Sequence, residues 1–269
     1  PSRKLNADFI SISYNPGKSI RVNSAFAAHW INENTDKDVI FTVSTRDMNK
    51  IAMQSLLLGA GLAGLNNVVV VKGDKFTNRD LSITKGVDDF KPTELIRSIQ
   101  LMNQGIDFRG NKLDSPTNFC VGASIDLGLN SSDQVQLTYE KVKAGAQFFL
   151  VQALFDPLVL KNFLQTYSNK YTEIIGIPIF CGVQIMTANS LSFNKIPNWV
   201  TNNLADGRSG IDIAIEVSQK FLDAGFRSIY LIPPIFKGGI RDYTSAERVL
   251  EAFRTPRPLS ESSLANTQY

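Results

Sequence analysis

Seven short apolar runs, rich in Val, Ile and Phe, recur along this chain, and the stretches between them have helical spacing. The runs are DFISISY (8–14), DVIFTVST (38–45), NVVVVKGD (67–74), NFCVGASID (118–126), QFFLVQALFD (147–156), IPIFCGVQI (177–185) and SIYLIPPI (228–235). Strands that are apolar at successive positions are buried on both faces, as parallel strands covered by helices are. The segments 21–33, 48–60, 92–104, 131–144, 157–169, 209–223 and 244–253 read as helices. Strand alternating with helix selects a parallel sheet or barrel. The usual (β/α)8 TIM barrel needs eight strands. The expectation is therefore an α/β barrel whose first strand is missing from this chain, lost before Pro1. No linker divides residues 1–254, which read as one barrel domain. The polar, proline-bearing stretch 255–269, TPRPLSESSLANTQY, reads as an exposed C-terminal tail.

Composition excludes several classes of function. With 28 basic and 25 acidic residues the net charge is only +3, and no basic block carries interleaved aromatics, which argues against nucleic acid. No apolar stretch approaches the ~20 residues of a membrane span. The start has no signal-peptide pattern, so a cytoplasmic location is expected. Cys120 and Cys181 sit inside apolar runs without a C-x-x-C, and read as inert core thiols in a reducing compartment. His29 is the sole histidine, in the helical stretch SAFAAHWINEN. A Ser-His-Asp triad or a multi-histidine zinc site is thereby excluded, and no metal is expected.

The stretch LLLGAGLAGLNNVVVV contains Gly59, Gly61 and Gly64 in a G-x-G-x-x-G pattern. A dinucleotide fingerprint requires strand, glycine turn, then helix. Here a helix precedes the glycines and a strand follows them. Gly61 or Gly64 is thus expected to be a left-handed helix cap, with Gly59 and Ala60 letting the helix end pack closely on the barrel.

In a parallel barrel the reacting groups come from the C-terminal strand ends. Those ends supply Ser13, Tyr14, Thr42, Ser44, Arg46, Asp47, Lys72, Asp74, Ser124, Asp126, Gln152, Asp156 and Gln184, with Lys237 beyond the last. Asp74 follows Gly73, which permits close approach of a ligand to backbone; the alternative is that Asp74 caps the next turn.

Several of these segments together resemble the methylenetetrahydrofolate reductase family, particularly its bacterial type. They are DFISISYNPG, TVSTRDMNKIAMQSLLLGAGLAGLNNVVVVKGD, FCVGASID, EKVKAGAQFFLVQALFD and, more weakly, GIDIAIEVSQKFLDAGFRSIYLI, in family order over about residues 8–250. The resemblance implies an eight-stranded barrel holding FAD. NADH or NADPH reduces the flavin, which passes hydride to methylenetetrahydrofolate to give methyltetrahydrofolate. It implies cofactor contacts at Tyr14, Pro16, Thr42, Lys72, Gly73, Asp74, Lys85 and Ser124, and places Lys141 at the cofactor phosphates, against the bland reading of a solvated helix lysine. Gln152 and Gln184 are placed with Asp74 as substrate-binding. Asp74 is the catalytic residue, its charge stabilising an iminium form of the folate. The implied partners are a small-molecule folate and a second copy or partner subunit.

The chain also departs from the family. The Glu-bearing segment ahead of paired prolines, which supplies the acid for ring opening, is absent. Ser124 stands for an aromatic, Gly128 for a polar contact and Val151 for a threonine. Two alternatives therefore stand beside the reductase: a non-catalytic flavin- or folate-binding paralogue, and a pterin-dependent methyltransferase on the same barrel.

Overall fold

A computed structural model describes residues 5–128, 131–192 and 194–254. The tail 255–269 lies outside the described residues. The elements run β1 (Phe9–Ile12), α1 (Ser24–Asn34), β2 (Asp38–Ser44), α2 (Lys50–Leu62), β3 (Asn67–Val71), α3 (Asn78–Leu81), α4 (Pro92–Asn103), β4 (Cys120–Ile125) and α5 (Ser131–Lys143). They continue with β5 (Phe148–Val151), α6 (Pro157–Tyr171), β6 (Ile179–Gln184), α7 (Asn198–Ala205), α8 (Gly210–Asp223), β7 (Ile229–Ile232) and α9 (Tyr243–Arg254). All six strand pairings are parallel and follow chain order from β1 to β7.

Alternation along each strand sorts the side chains into two layers. Val39, Phe41, Val43, Val68, Val70, Val121, Phe149, Cys181 and Val183 face the helices in one large core. Ile40, Val69, Phe148 and Leu150 form a separate inner cluster with Phe9, Val71, Cys120, Phe180 and Tyr230. Strands buried on both sides explain why the sequence shows continuous apolar runs rather than alternation. The inner layer also joins the first and last strands. The Phe9 ring lies 5.1 Å from Phe180 and 6.4 Å from Tyr230, and the Tyr230 hydroxyl hydrogen-bonds Ser11. The sheet therefore curls until β1 and β7 face each other across a shared interior, although they do not pair as strands. The result is a curled, helix-covered parallel sheet of TIM-barrel type.

The glycine pattern ends a helix. Gly64 is left-handed (φ 77°), its N–H donates to Gly61 O, and Leu65 N donates to Ala60 O, both at 3.0 Å. These two bonds make a Schellman motif, which leaves Gly64 as the residue that needs glycine. One expectation is corrected here: a Cβ at Gly59 would meet nothing within 4 Å, so close packing does not require that glycine. At Gly61 the nearest atom would be the Phe119 ring at 3.6 Å, an ordinary contact.

The helices α3 and α7 add to the sequence reading. The run QFFLVQALFD shortens to the four residues of β5, because Ala153, Leu154 and Phe155 are buried in the loop that leads to α6. Asp156 caps α6 by accepting from Leu158 N at 2.8 Å, with Pro157 at the first helical position. Its role is thus local and structural.

Candidate functional site at the C-terminal mouth of the sheet

The ends of β2 and β3 are fused into one polar knot. Ser44 Oγ donates to Lys72 O at 3.0 Å, and Thr45 N donates to Val71 O at 3.1 Å. Gly73 passes so close that a Cβ there would meet Ser44 Oγ at 2.3 Å, and its backbone is left-handed at φ 89°. Only glycine satisfies both conditions. Arg46, 6% exposed, closes the knot. Its guanidinium makes a fork onto Asp47, with Nε to Oδ1 at 2.5 Å and Nη2 to Oδ2 at 2.6 Å. Nη1 donates to Asp74 O at 2.8 Å, and the guanidinium lies 4.5 Å from the Phe76 ring centroid. The hydrogen bonds that Arg46 donates to Asp47 hold its pKa above its ordinary value. Further along, Val87 N donates to Arg46 O at 2.7 Å, which draws the long β3–α4 connection back to the same residue.

Asp74 reaches the mouth from this knot. Its side chain is exposed, and Oδ2 accepts from Gly17 N at 2.9 Å. The local capping role considered for it is not seen; its partner lies 57 residues away in the β1–α1 turn. Tyr14, half-buried just before that turn, has its hydroxyl pKa raised by burial, with the Asp47 carboxylate pushing the same way. Pro16 opens the one-turn helix Pro16–Lys18. Thr42 is buried, and its carbonyl accepts from Ser24 Oγ at 2.6 Å. Lys72 takes part through its carbonyl, while its side chain is exposed, as is Lys85.

On the opposite side, Lys141 rises from α5 beneath the end of β4. It is 7% exposed, so it is not a solvated helix lysine, and its Nζ donates to Ser124 O at 2.6 Å. Burial pulls its pKa down to about 8, opposed by the nearby charge of Asp126. Asp126 accepts from Gly128 N at 3.0 Å, in a turn where a Cβ on Gly128 would meet Asn194 Oδ1 at 2.9 Å. Asn194 in turn donates to Ala153 O at 2.8 Å, joining the loops after β5 and β6. Gln152 is half-buried at the end of β5. Gln184, 2% exposed, donates its amide to Leu191 O at 2.7 Å, so much of its side chain serves the loop after β6.

Among the described residues of this mouth no nucleophile is hydrogen-bonded to a histidine base. His29, the chain's sole histidine, sits on α1, where its Nδ1 lies 3.1 Å from Ala63 O. Among the described residues no three His, Cys, Asp or Glu side chains gather as a metal site would require. The thiols of Cys120 and Cys181 are both free, and burial raises the pKa of each, that of Cys181 to about 12. What remains is a ring of fixed dipoles, the held carboxylates of Asp47, Asp74 and Asp126, the buried Arg46 guanidinium and the buried Lys141 amine: equipment for orienting a ligand rather than for covalent attack.

Residues 2–233 match the family model of methylenetetrahydrofolate reductase. The chain belongs to the methylenetetrahydrofolate reductase family. Among solved structures, this family member is similar to an uncharacterized protein from Clostridium thermocellum that binds two copies of 5-methyl-5,6,7,8-tetrahydrofolic acid. The two share 13% identity and a TM-score of 0.65 over 94% of this chain and 85% of that one. A likeness to 2,3-dimethylmalate lyase is weaker, with 15% identity and a TM-score of 0.44 over 90% of this chain and 70% of that one. At these identities the likenesses concern the fold alone. No curated protein matches the chain.

Of the residues expected in the reductase site, the fold gathers Tyr14, Gly73 and Asp74 with Arg46 and Asp47, and sets Ser124 beside Lys141. Lys72 and Lys85 belong to the long connection at the edge of the mouth. Reading strand ends gave no weight to Gly17, Lys18, Asp80 and Asn194. The signal for Gly17 was present, since an N-P-G-K turn follows directly on a strand.

Proposed function

We propose that this protein reduces 5,10-methylenetetrahydrofolate to 5-methyltetrahydrofolate, with FAD as cofactor and NADH or NADPH as electron donor. The observation that carries the reading is the held Asp74 carboxylate at the mouth of a barrel of this family, in a ring of polar groups with no covalent machinery. The described residues fit a flavin dinucleotide. Lys141 is a buried cation without a salt bridge among the described residues, a charge suited to the phosphates of such a group. Tyr14, Pro16, Thr42, Lys72, Gly73, Asp74, Lys85, Ser124 and Lys141 would hold the cofactor, whose bound form supplies hydride transfer. Asp74 would stabilise the cationic iminium form of the folate, a preorganised negative charge that would act strongly once bound cofactor and substrate covered the exposed carboxylate. Gln152 would orient the pterin by hydrogen bonds to its polar edge, while Gln184 holds the loop after β6 through Leu191 O.

The seam between β7 and β1 is, on this reading, closed by a further strand, and a second copy or partner subunit covers it. Two free thiols suit a reducing cytoplasm. A second reading, a flavin- or folate-binding subunit without reductase activity, is favoured by one observation. No glutamate stands at any of the seven strand ends, so the proton for opening the folate ring has no assigned donor there.

Spectroscopy of the purified protein tests the proposal. The expected result is a yellow protein whose flavin absorbance is bleached by NADH or NADPH. A colourless protein that takes up no flavin would overturn it.

A further inference from the structure

The turn that follows β1 holds its backbone in a costly shape. Asn15 (φ 37°), Gly17 (φ 63°) and Lys18 (φ 61°) are all left-handed, a region that side chains disfavour. Such residues persist only where their surroundings over-determine them. Inside the turn, Lys18 N donates to Asn15 O at 3.1 Å and Arg21 N donates to Asn15 Oδ1 at 3.0 Å. Three further bonds leave it: Arg21 Nη2 donates to Gly238 O at 2.7 Å beyond β7, and the other two go to the connection after β3. Gly17 N donates to Asp74 Oδ2 at 2.9 Å, and Lys18 Nζ pairs with Asp80 Oδ2 at 2.7 Å. Asp80 is itself fixed at the start of α3, where Oδ2 also accepts from Thr77 N and Thr77 Oγ1, each at 2.7 Å. The hydrogen bond from Lys18, then those from Thr77, hold the Asp80 pKa well below the usual carboxylate range. Arg46 meanwhile holds the Asp74 carbonyl at 2.8 Å. Asp74 is therefore gripped at its backbone from β2 and at its side chain from the β1 turn.

We propose that Lys18 is a positioning residue for Asp74. Its ion pair with Asp80 straps the turn in the left-handed form, and that form aims the Gly17 N–H at the Asp74 carboxylate. A glycine at position 18 would meet the backbone demand without strain; a lysine stands there because its charge reaches Asp80. The role matters through the reading of Asp74 as the carboxylate that meets the folate, and the inference rests on that reading.

The test uses the full chain and its variants Lys18→Met, Asp80→Asn, Lys18→Arg and Asp74→Asn. Two quantities are read: hydrogen exchange at the Gly17 amide, and the dissociation constant for 5-methyltetrahydrofolate. Lys18→Met and Asp80→Asn should speed Gly17 exchange by about tenfold, as a loosened turn opens more often. They should weaken folate binding by about threefold to fivefold, the scale of an exposed ion pair. Lys18→Arg should keep both values, and melting temperatures should stay within about 2 °C because all these side chains are peripheral. If Asp74→Asn weakens folate binding while Lys18→Met and Asp80→Asn change neither quantity, the positioning role is overturned and the site reading stands. If Asp74→Asn binds folate as the wild type does, or the wild type binds none, the site reading fails and this inference falls with it.

Discussion

Asp74 and Lys141 are the two charges whose placement most constrains the chemistry, and each makes a separate prediction. Replacing Asp74 by Asn keeps an oxygen for the Gly17 N–H and removes only the negative charge. Turnover of the folate should fall roughly 100-fold, the scale of losing one preorganised electrostatic contact, while flavin content stays near the wild-type value. Equal loss of both would show a structural role. Lys141 is read through pH. Burial holds its amine at about 8, below the ordinary 10.5. Below pH 8 the folded and unfolded chains both carry the charge, and folding bears the cost of burying it. Between pH 8 and 10.5 the folded chain has released a proton that the unfolded chain still binds, so stability rises with pH in that window. Denaturant titrations should show the wild type gaining on the order of 3 kcal/mol relative to Lys141→Met between those limits. Cys181 and Tyr167, pushed up to about 12 by burial from 9.0 and 10.0, act in the opposite direction from those lower values upward, within the same window. They are common to both proteins and cancel in the difference.

At the level of elements, glycines separate structural need from sequence coincidence. A Cβ at Gly182 on β6 would sit 2.2 Å from Val151 O and 2.8 Å from Gln152 C, backbone atoms at the end of β5 and just past it. Gly182→Ala should therefore lower the denaturant midpoint, corresponding to about 1–3 kcal/mol of overpacking. Gly59 is exposed on α2 with open space around it, and Gly59→Ala should stabilise by about 0.5–1 kcal/mol through helix propensity. It should also leave flavin content unchanged; loss of flavin there would mean that the glycine pattern does bind a dinucleotide. The sequence made this distinction legible, because the order helix, glycine, strand is local information. It equally revealed the seven strands, since Val- and Ile-rich runs buried on both faces leave a continuous apolar signature. The four-residue α3 and the eight-residue α7 were not legible, being too short to show a helical period. The grip of Gly17 on Asp74 joins residues 57 apart, and no local pattern encodes it. The same holds for the Gln184 amide, which the strand-end reading assigned to a ligand and the fold engages with Leu191 O.

On the scale of the whole molecule, the protein is a curled parallel sheet whose inner aromatic layer joins its first and last strands while their backbones stay unpaired. The polar groups collect at one end of that sheet, as the C-terminal strand ends of a barrel dictate. At that end Asp74 is held between the two loops that flank it, and on the proposed function a flat cofactor would lie there against a flat substrate. On the proposed function, electrons pass between a bound flavin and a folate in that mouth. The most direct measurement is the flavin absorbance of the oxidised protein after anaerobic addition of 5-methyltetrahydrofolate, the reverse of the proposed half-reaction. The account predicts bleaching of the flavin band with formation of methylenetetrahydrofolate. A flavin-loaded protein whose spectrum does not change at saturating folate would contradict it.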